Sequence, residues 1–237
     1  MIIGVNGYAG SGKDTVGKLI QIATCSDLPE GLDIQEMVTN TDHSWWIEDG
    51  SGWEIKKWAG KLKTIASLLT GIPVEKFEDQ EFKKTNLGPQ WSTLKMKPGK
   101  RQDGIFPKKI DMDLVPMTVR DFLQKLGTDG LRSGLHENTW VNALMADYEG
   151  TYDLDTDRTT WPKWVITDTR FPNEARAIKE AGGIVIRVDR PGCKPINNHP
   201  SETGLDEWNF DHRIMNGSDL VSLLFTVGTI LRKEKLL

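Results

Sequence analysis

A short glycine-rich segment near the start of the chain limits the possible folds more than any other feature. Residues 7–13 read Gly-Tyr-Ala-Gly-Ser-Gly-Lys, a G-x-x-x-x-G-K spacing in which backbone N–H groups can converge on phosphate oxygens while the lysine adds charge. The apolar run 1–6 precedes it, and apolar residues from Val16 to Ala23 follow at helical spacing. An ordinary glycine turn is the alternative. The position between a strand and a helix, whose N-terminus attracts anions, favours a phosphate-binding unit.

The composition predicts one ordinary globular α/β domain. The 237 residues are 38% hydrophobic and 27% charged, and the net charge of −4 makes nucleic acid a weak partner candidate. The longest apolar stretch, 220–231, is shorter than the roughly 20 residues that cross a bilayer, so we expect no membrane segment and a cytoplasmic protein. Cys25 and Cys193 belong to no C-x-x-C motif, which fits a reducing compartment.

The hydrophobic periodicity predicts a doubly wound, mainly parallel sheet with helices on both faces. The predicted strands are 1–6, 53–58 at an edge, 164–168, 183–188 and 212–215. The predicted helices follow residue 13, span 61–69, begin at Thr118, span 138–148 and 173–181, and end the chain after a cap at Ser218. Residues 27–52 look polar and turn-rich. We interpret 1–237 as a single domain, with a lid-like insertion at 71–117 that is rich in lysine and proline.

One residue of the glycine segment departs from the general pattern. Asp14 follows Lys13, where most phosphate loops carry the Ser or Thr hydroxyl that meets Mg²⁺, and Thr15 comes one residue later. A carboxylate beside a polyphosphate would repel it unless a cation lay between them. We therefore expect Asp14 to hold Mg²⁺ directly or through water.

Charged residues at the predicted strand and helix ends extend the candidate site. Asp168 and Arg170 follow a buried strand and should reach the crevice at the carboxyl end of the sheet, although a turn cap and a surface ion pair are the alternatives. Glu174 could contact a substrate or only complement a helix dipole. Four more arginines could offset phosphate repulsion or lie in solvent: Arg120, Arg132, Arg187 and Arg190. The sequence shows no H-R-D-like base motif, which favours a phosphate acceptor, since such an acceptor is already ionised.

Several phrases along the chain, taken in order, resemble the bacteriophage deoxynucleoside monophosphate kinases of the P-loop kinase superfamily. They are Ser-Gly-Lys-Asp-Thr at 11–15, Leu-Gly-Thr-Asp at 126–129, Asp-Thr-Arg at 168–170, Arg-Pro-Gly at 190–192 and His-Pro-Ser-Glu at 199–202. The resemblance covers most of the chain and is weak at 24–52 and 88–117. Gly-Lys-Asp-Thr is itself a feature of that family, so Asp14 fits the resemblance.

The resemblance implies a P-loop NTPase fold that uses ATP and Mg²⁺ to phosphorylate deoxynucleoside monophosphates, in a protein that can form a homodimer. It implies ATP binding by Gly10, Ser11, Gly12, Lys13, Asp14, Thr15 and Arg190. Acceptor binding is expected from Leu62, Lys63, Lys83, Arg120, Thr128, Trp140, Asp168, Arg170, Glu174 and Ser201. The catalytic set is Lys13, Asp14, Arg120, Arg132, Asp168 and Arg170, and the metal ligands are Asp14 and Asp168.

Other interpretations remain open at this point. The chain could be a dephosphocoenzyme A kinase-like enzyme or another P-loop kinase of small metabolites. It could also be a regulatory or nucleic-acid-associated protein that binds ATP without phosphorylating a small molecule. Trp140 could stack on a base or lie in the core. The cluster of Trp45, Trp46, Trp53 and Trp58 is expected to pack the region around it. His136 and His199 have no zinc-site spacing.

Overall fold

A computed structural model describes residues 1–28, 31, 33–40, 44–96, 112–195 and 200–237. It divides into two compact units. The first combines Met1–Gly60 with Trp140–Leu237, and the second is Lys61–Thr139. Within the predicted insertion, residues 97–111 lie outside the described part of the chain, as does His199.

The secondary structure alternates between strands and helices along most of the chain. The strands are β1 (Ile2–Asn6), β2 (Trp53–Lys56), β3 (Thr93–Met96), β4 (Met112–Val115), β5 (Thr151–Asp153), β6 (Arg158–Thr160), β7 (Lys163–Ile166), β8 (Ile184–Asp189) and β9 (His212–Met215). The helices are α1 (Lys13–Thr24), α2 (Ile34–Thr39), α3 (Ser44–Ser51), α4 (Gly60–Thr70), α5 (Val119–Gln124), α6 (Thr139–Met145), α7 (Pro172–Glu180), α8 (Pro200–Thr203) and α9 (Leu220–Lys233).

A five-stranded sheet forms the centre of the first unit. Its strand order is β2-β7-β1-β8-β9, and each neighbouring pair is parallel. One face packs on α1 and α9, with Ile3 and Val5 of β1 in that cluster, while Ile2 belongs to the cluster on the opposite face with α7. Burying both faces explains why the strands are continuous apolar runs rather than alternating ones. The predicted α/β fold of the P-loop NTPase type is confirmed.

Helix α1 approaches strand β7 unusually closely. A Cβ atom at Gly17 would lie only 2.6 Å from the side-chain methyl group of Thr167. Because real Cβ atoms are not found at such distances, the helix can pack this tightly only with glycine at position 17. The close packing brings the first turn of α1 next to the end of β7.

Three local predictions were wrong. The polar stretch 27–52 contains the two helices α2 and α3 rather than turns alone. Trp53 and Trp58 are buried and Trp46 packs against the core as expected, but Trp45 is 71% exposed. The cap of α9 is Asp219, whose side chain accepts a hydrogen bond from the backbone N–H of Ser222. Asp219 is the residue directly before the helix, so its side chain, and not that of Ser218, reaches the free backbone N–H groups of the first turn.

The second unit has a small core of its own. Ala66, Phe77, Val119 and Phe122 form its buried cluster, and the predicted capping box of Thr118 with Asp121 begins α5. A π-helical segment, Lys125–Ser133, continues from α5. Strands β3 and β4 pair as an antiparallel ribbon. No helix among the described residues is long and apolar enough to span a bilayer.

Candidate active site

The loop between β1 and α1 has a backbone that requires glycine. Gly7, Gly10 and Gly12 have positive φ angles of 154°, 78° and 95°. A Cβ at Gly7 would lie 2.4 Å from the backbone oxygen of Val188, and one at Gly12 would lie 2.4 Å from the side-chain nitrogen of Asn216. Asn216 also donates a hydrogen bond of 2.8 Å to the backbone oxygen of Ser11. The glycines therefore provide both the loop conformation and the space around it.

Two polar side chains at this loop, Lys13 and Ser11, are partly or fully removed from solvent. The ammonium group of Lys13 donates to the carbonyl oxygen of Tyr8 at 2.8 Å. Burial, reinforced by the positive charge of Arg170, lowers the pKa of Lys13 to about 8, so an incoming negative charge would favour its protonated form. Ser11 is 1% exposed, and its hydroxyl has no hydrogen-bond partner among the described residues.

Asp14 is exposed at the start of α1 and is held on one side. Its Oδ1 accepts a hydrogen bond of 2.6 Å from the hydroxyl of Thr167 and forms an ion pair of 3.3 Å with Lys57. Partial desolvation of the carboxylate would raise the pKa of Asp14. The hydrogen bond from Thr167 and the charge of Lys57 outweigh this effect and hold the pKa below its usual range. The carboxylate is therefore ionised at neutral pH.

The carboxylate of Asp168 links the segment that follows β7 to the segment that follows β2. Its two oxygens accept hydrogen bonds from the backbone N–H groups of Trp58 and Ala59, at 2.8 and 3.0 Å. These residues follow β2, which is the neighbour of β7. The geometry matches the turn-cap alternative for Asp168, and its predicted metal and substrate roles stay predictions.

Arg170 lies among carboxylate and carbonyl oxygens. Its guanidinium group donates to Oε1 of Glu202 at 2.9 Å and to the backbone oxygen of Ser201 at 3.3 Å. Glu174 is buried and accepts from the backbone N–H groups of Arg170 and Phe171, at 2.7 and 3.1 Å. Glu174, in the first turn of α7, thus caps the start of that helix and fixes the backbone of Arg170.

Two further arginines have different environments: Arg187 lies within strand β8, and Arg190 follows its last residue. Arg190 is exposed and donates to the backbone oxygen of Gly10 at 3.2 Å, so it borders the glycine loop. Arg187 is buried, donates to the side chain of Asn6 at 2.6 Å and lies over the ring of Tyr8 at 4.4 Å. Arg187 therefore stabilises the glycine loop through its contacts with Asn6 and Tyr8.

A cavity of about 460 Å³ opens beside the glycine loop. Gly12 and Thr15 line it at the loop, Arg190 and Asn216 line it at the ends of β8 and β9, and the starts of α2 and α9 close it. A cavity of this size next to an anion site suits the nucleoside part of a nucleotide.

The remaining predicted residues lie mostly in the second unit, within 61–139. Lys63 is buried and paired with Glu78, whose backbone oxygen also accepts from Lys83 at 3.5 Å. Arg120 donates to the side-chain oxygen of Gln80 at 3.2 Å. Leu62 packs against Gly127, while Thr128 and Arg132 belong to the π-helical segment. Trp140 is buried in the first unit at the start of α6.

The described residues contain no group of three or more His, Cys, Asp or Glu side chains that could hold a metal ion. A metal at Asp14 would therefore need ligands from bound phosphate and water. Mg²⁺ commonly keeps such ligands, since it is often held by one or two carboxylates together with substrate phosphates.

Comparison with known proteins decides the family. The family model for deoxynucleotide monophosphate kinase matches residues 92–227, which is more than half of the chain. The chain belongs to this family. Membership makes it a phosphotransferase that phosphorylates deoxynucleoside monophosphates.

Individual members of the deoxynucleotide monophosphate kinase family align with different shares of the chain. The deoxynucleoside-5′-monophosphate kinase of Escherichia phage T5 is 26% identical over 94% of this chain and 92% of its own length. The deoxynucleotide monophosphate kinase of Enterobacteria phage T4 is 31% identical over 48% of this chain, and the alignment covers 46% of that enzyme. A putative deoxynucleotide monophosphate kinase of Acanthamoeba polyphaga mimivirus is 39% identical over 37% of this chain and 47% of its own length.

Sequence reasoning on this kinase missed several residues at the site. Thr167 and Lys57 hold Asp14, Asn216 holds the glycine loop, and Glu202 pairs with Arg170. The only local signal was the His-Pro-Ser-Glu phrase, from which we selected Ser201 rather than its neighbour. The other three contacts join distant parts of the sequence and carry no motif.

Proposed function

We propose that this kinase transfers the γ-phosphoryl group of ATP to the 5′-phosphate of a deoxynucleoside monophosphate. The bond between the γ-phosphorus and the oxygen bridging to the β-phosphate breaks, and an oxygen of the acceptor phosphate forms the new bond, giving ADP and a deoxynucleoside diphosphate. The observation that carries the proposal is the glycine loop with Lys13, which follows β1, while Arg170 comes after the neighbouring parallel strand β7. Arg170 is near enough to Lys13 for its positive charge to contribute to the lowered pKa of that lysine.

The donor nucleotide would lie across the glycine loop. Gly10, Ser11, Gly12 and Thr15 would bind its phosphates through backbone N–H groups and hydroxyls, with Lys13 at the transferred group and Arg190 beside the loop. The neighbouring cavity supports a place for the nucleoside, since Gly12 and Thr15 form both its wall and the loop.

The acceptor would use cations that are not engaged by the donor. Arg170 and Ser201 would lie near the acceptor phosphate, with Glu174 holding the backbone of Arg170. Roles in acceptor binding or catalysis stay predictions for Leu62, Lys63, Lys83, Arg120, Thr128, Arg132 and Trp140. A phosphate monoester needs no general base at neutral pH, because its second pKa is about 6. Catalysis then consists of holding two phosphates in line and stabilising the charge that develops between them.

Asp14 fits a role as a ligand of Mg²⁺. It is ionised and exposed at the end of the loop, and its contacts with Thr167 and Lys57 both fall on Oδ1. Mg²⁺, when bound, neutralises charge on the phosphate oxygens. Thr167 and Lys57 keep the Asp14 carboxylate oriented for it. Asp168 is the weaker candidate, because both of its oxygens already accept bonds from backbone N–H groups.

The test is an assay of ADP release with ATP, Mg²⁺ and a panel of deoxy- and ribonucleoside monophosphates, with dephosphocoenzyme A included. We expect turnover with at least one deoxynucleotide. Lys13→Ala should lower it by orders of magnitude while the protein stays folded, and Lys233→Ala, which removes an exposed lysine, should leave it unchanged. Full turnover in the Lys13 variant, or turnover with dephosphocoenzyme A alone, would contradict the proposal.

We also propose that the protein acts in the cytoplasm of a host cell. The phage origin of two of the relatives supports this. A homodimer, which the resemblance implies, stays a prediction that sedimentation of the purified chain can test.

A further inference from the structure

The strand order divides the candidate site into two sides. Arg190 and Asn216 follow β8 and β9 and border the cavity on one side of β1. Arg170 follows β7, on the other side of β1. With the donor nucleoside in the cavity, the side around Arg170 is left for the acceptor.

Glu202 is a buried acid on the acceptor side whose hydrogen bonding is incomplete. Its side chain is only 10% exposed, and its Oε1 accepts from Arg170 at 2.9 Å. Its Oε2 is buried and has no hydrogen-bond partner among the described residues. A buried carboxylate oxygen without a partner is costly, so such an atom needs an explanation from function or from a bound molecule.

The surrounding contacts hold Glu202 in place. A Cβ at Gly204 would lie 3.0 Å from the backbone oxygen of Arg170, so the segment after α8 packs tightly on Arg170. Two residues further, Asp206 accepts from the Tyr8 hydroxyl of the glycine loop at 3.0 Å. The segment that carries Glu202 is thus fixed both at the loop and at Arg170, and Glu202 cannot easily turn toward water.

The charge of Glu202 limits what can complete its bonding. A phosphate group would be repelled by the carboxylate and is attracted instead by Arg170 and Lys13. The missing partner must donate a hydrogen, and the nucleoside part of a nucleotide offers such donors in its sugar hydroxyl and in the amino group of its base.

We propose that Glu202 binds the acceptor nucleoside, with Oε2 accepting a hydrogen bond from a hydroxyl or amino group while Oε1 keeps Arg170 directed at the acceptor phosphate. The inference rests on the proposed function for the choice of ligand. It adds Glu202, the neighbour of Ser201 in the sequence, as a residue that recognises the nucleoside part of the acceptor rather than its phosphate.

The test compares Glu202→Gln with the wild-type chain in calorimetric titrations of nucleoside monophosphates without ATP. Since the Arg170 guanidinium only donates, the amide keeps its oxygen toward Arg170 and turns its NH₂ group toward the ligand donor, so the bond to the ligand is lost. We expect the Kd for deoxycytidine monophosphate to rise about 10- to 100-fold. Glu207→Gln makes the same change at an exposed residue of the same segment and should leave the Kd unchanged.

Two acceptors identify the donor group. If the effect of Glu202→Gln disappears for the 2′,3′-dideoxy nucleotide, the sugar hydroxyl is the partner, and if it disappears for thymidine monophosphate, which has no exocyclic amino group, the base is the partner. Either result supports the proposal. The proposal is overturned if Glu202→Gln has an equal effect on the affinity for every nucleotide or no effect on any. It is also overturned if the only change is in the Mg²⁺ requirement of turnover. Absence of turnover in the wild-type chain would reject the proposed function, while the titrations still decide on Glu202.

Discussion

Replacing Asp168 by asparagine separates its two proposed roles. The carboxylate accepts hydrogen bonds from the N–H groups of Trp58 and Ala59, at 2.8 and 3.0 Å. Asparagine keeps one acceptor oxygen but sets an NH₂ group against the other N–H. Since a hydrogen bond to a charged group contributes about 1.5 to 3 kcal/mol and an unpaired polar group has a further cost, Asp168→Asn should lower the free energy of unfolding by about 2 to 4 kcal/mol.

The assay is urea unfolding of the wild-type and variant chains, followed by circular dichroism. Asp155→Asn is the matched control, because it makes the same chemical change on an exposed residue of the β5–β6 connection and should alter the free energy of unfolding by less than about 0.5 kcal/mol. The Mg²⁺ concentration needed for half-maximal turnover should be unchanged in the folded Asp168 variant. An unaltered unfolding curve together with a raised Mg²⁺ requirement would refute the structural role and favour the metal site expected from the sequence.

Two more predictions concern the glycine loop. The lowered pKa of Lys13, about 8, leaves this side chain mostly protonated at pH 7 and mostly neutral at pH 9, so the affinity for a nonhydrolysable ATP analogue should fall about tenfold over that interval in calorimetry. Lys13→Ala should bind weakly with no such dependence, and a flat wild-type profile would contradict the assigned cause. Gly12→Ala, at φ 95°, should cost about 1 to 2 kcal/mol of strain, displace Asn216 and weaken binding of the analogue at least about tenfold. Gly182→Ala, at φ 75° with open space around it, should lower stability but leave this affinity unchanged, and equal losses of affinity would count against the role of the loop.

The central sheet could be predicted because its signals are local. Strands β1, β7 and β8 are continuous apolar runs bounded by glycine or polar residues, and each side of such a run is buried. Helices α2 and α3 gave no comparable signal, since Met37 is the buried residue of the first and Ile47 contributes to the core from the second. With so few buried residues, hydrophobic periodicity has little to repeat.

The candidate site was predictable only where a motif spans a few neighbouring residues. The glycine loop with Lys13 and Asp14 met that condition. The contact between Asp14 and Thr167 joins residues 153 positions apart, and no spacing rule predicts such a pair. Asp168, after a strand, and Glu174, in the first turn of a helix, show the opposite difficulty, because a carboxylate that caps a backbone and one that meets a ligand occupy the same positions.

The absence of a side chain at Gly17 determines how close helix α1 lies to the sheet. One added methyl group, at 2.6 Å from Thr167, would push the helix outward and lengthen the 2.6 Å bond between the Thr167 hydroxyl and Asp14 one turn earlier. Gly17 touches neither nucleotide in any role proposed above. Gly17 acts by setting the distance between the helix and the sheet, and this distance determines where the Asp14 carboxylate lies. Related chains with a larger residue at position 17 would need a smaller residue at the end of β7 to keep the carboxylate in the same place.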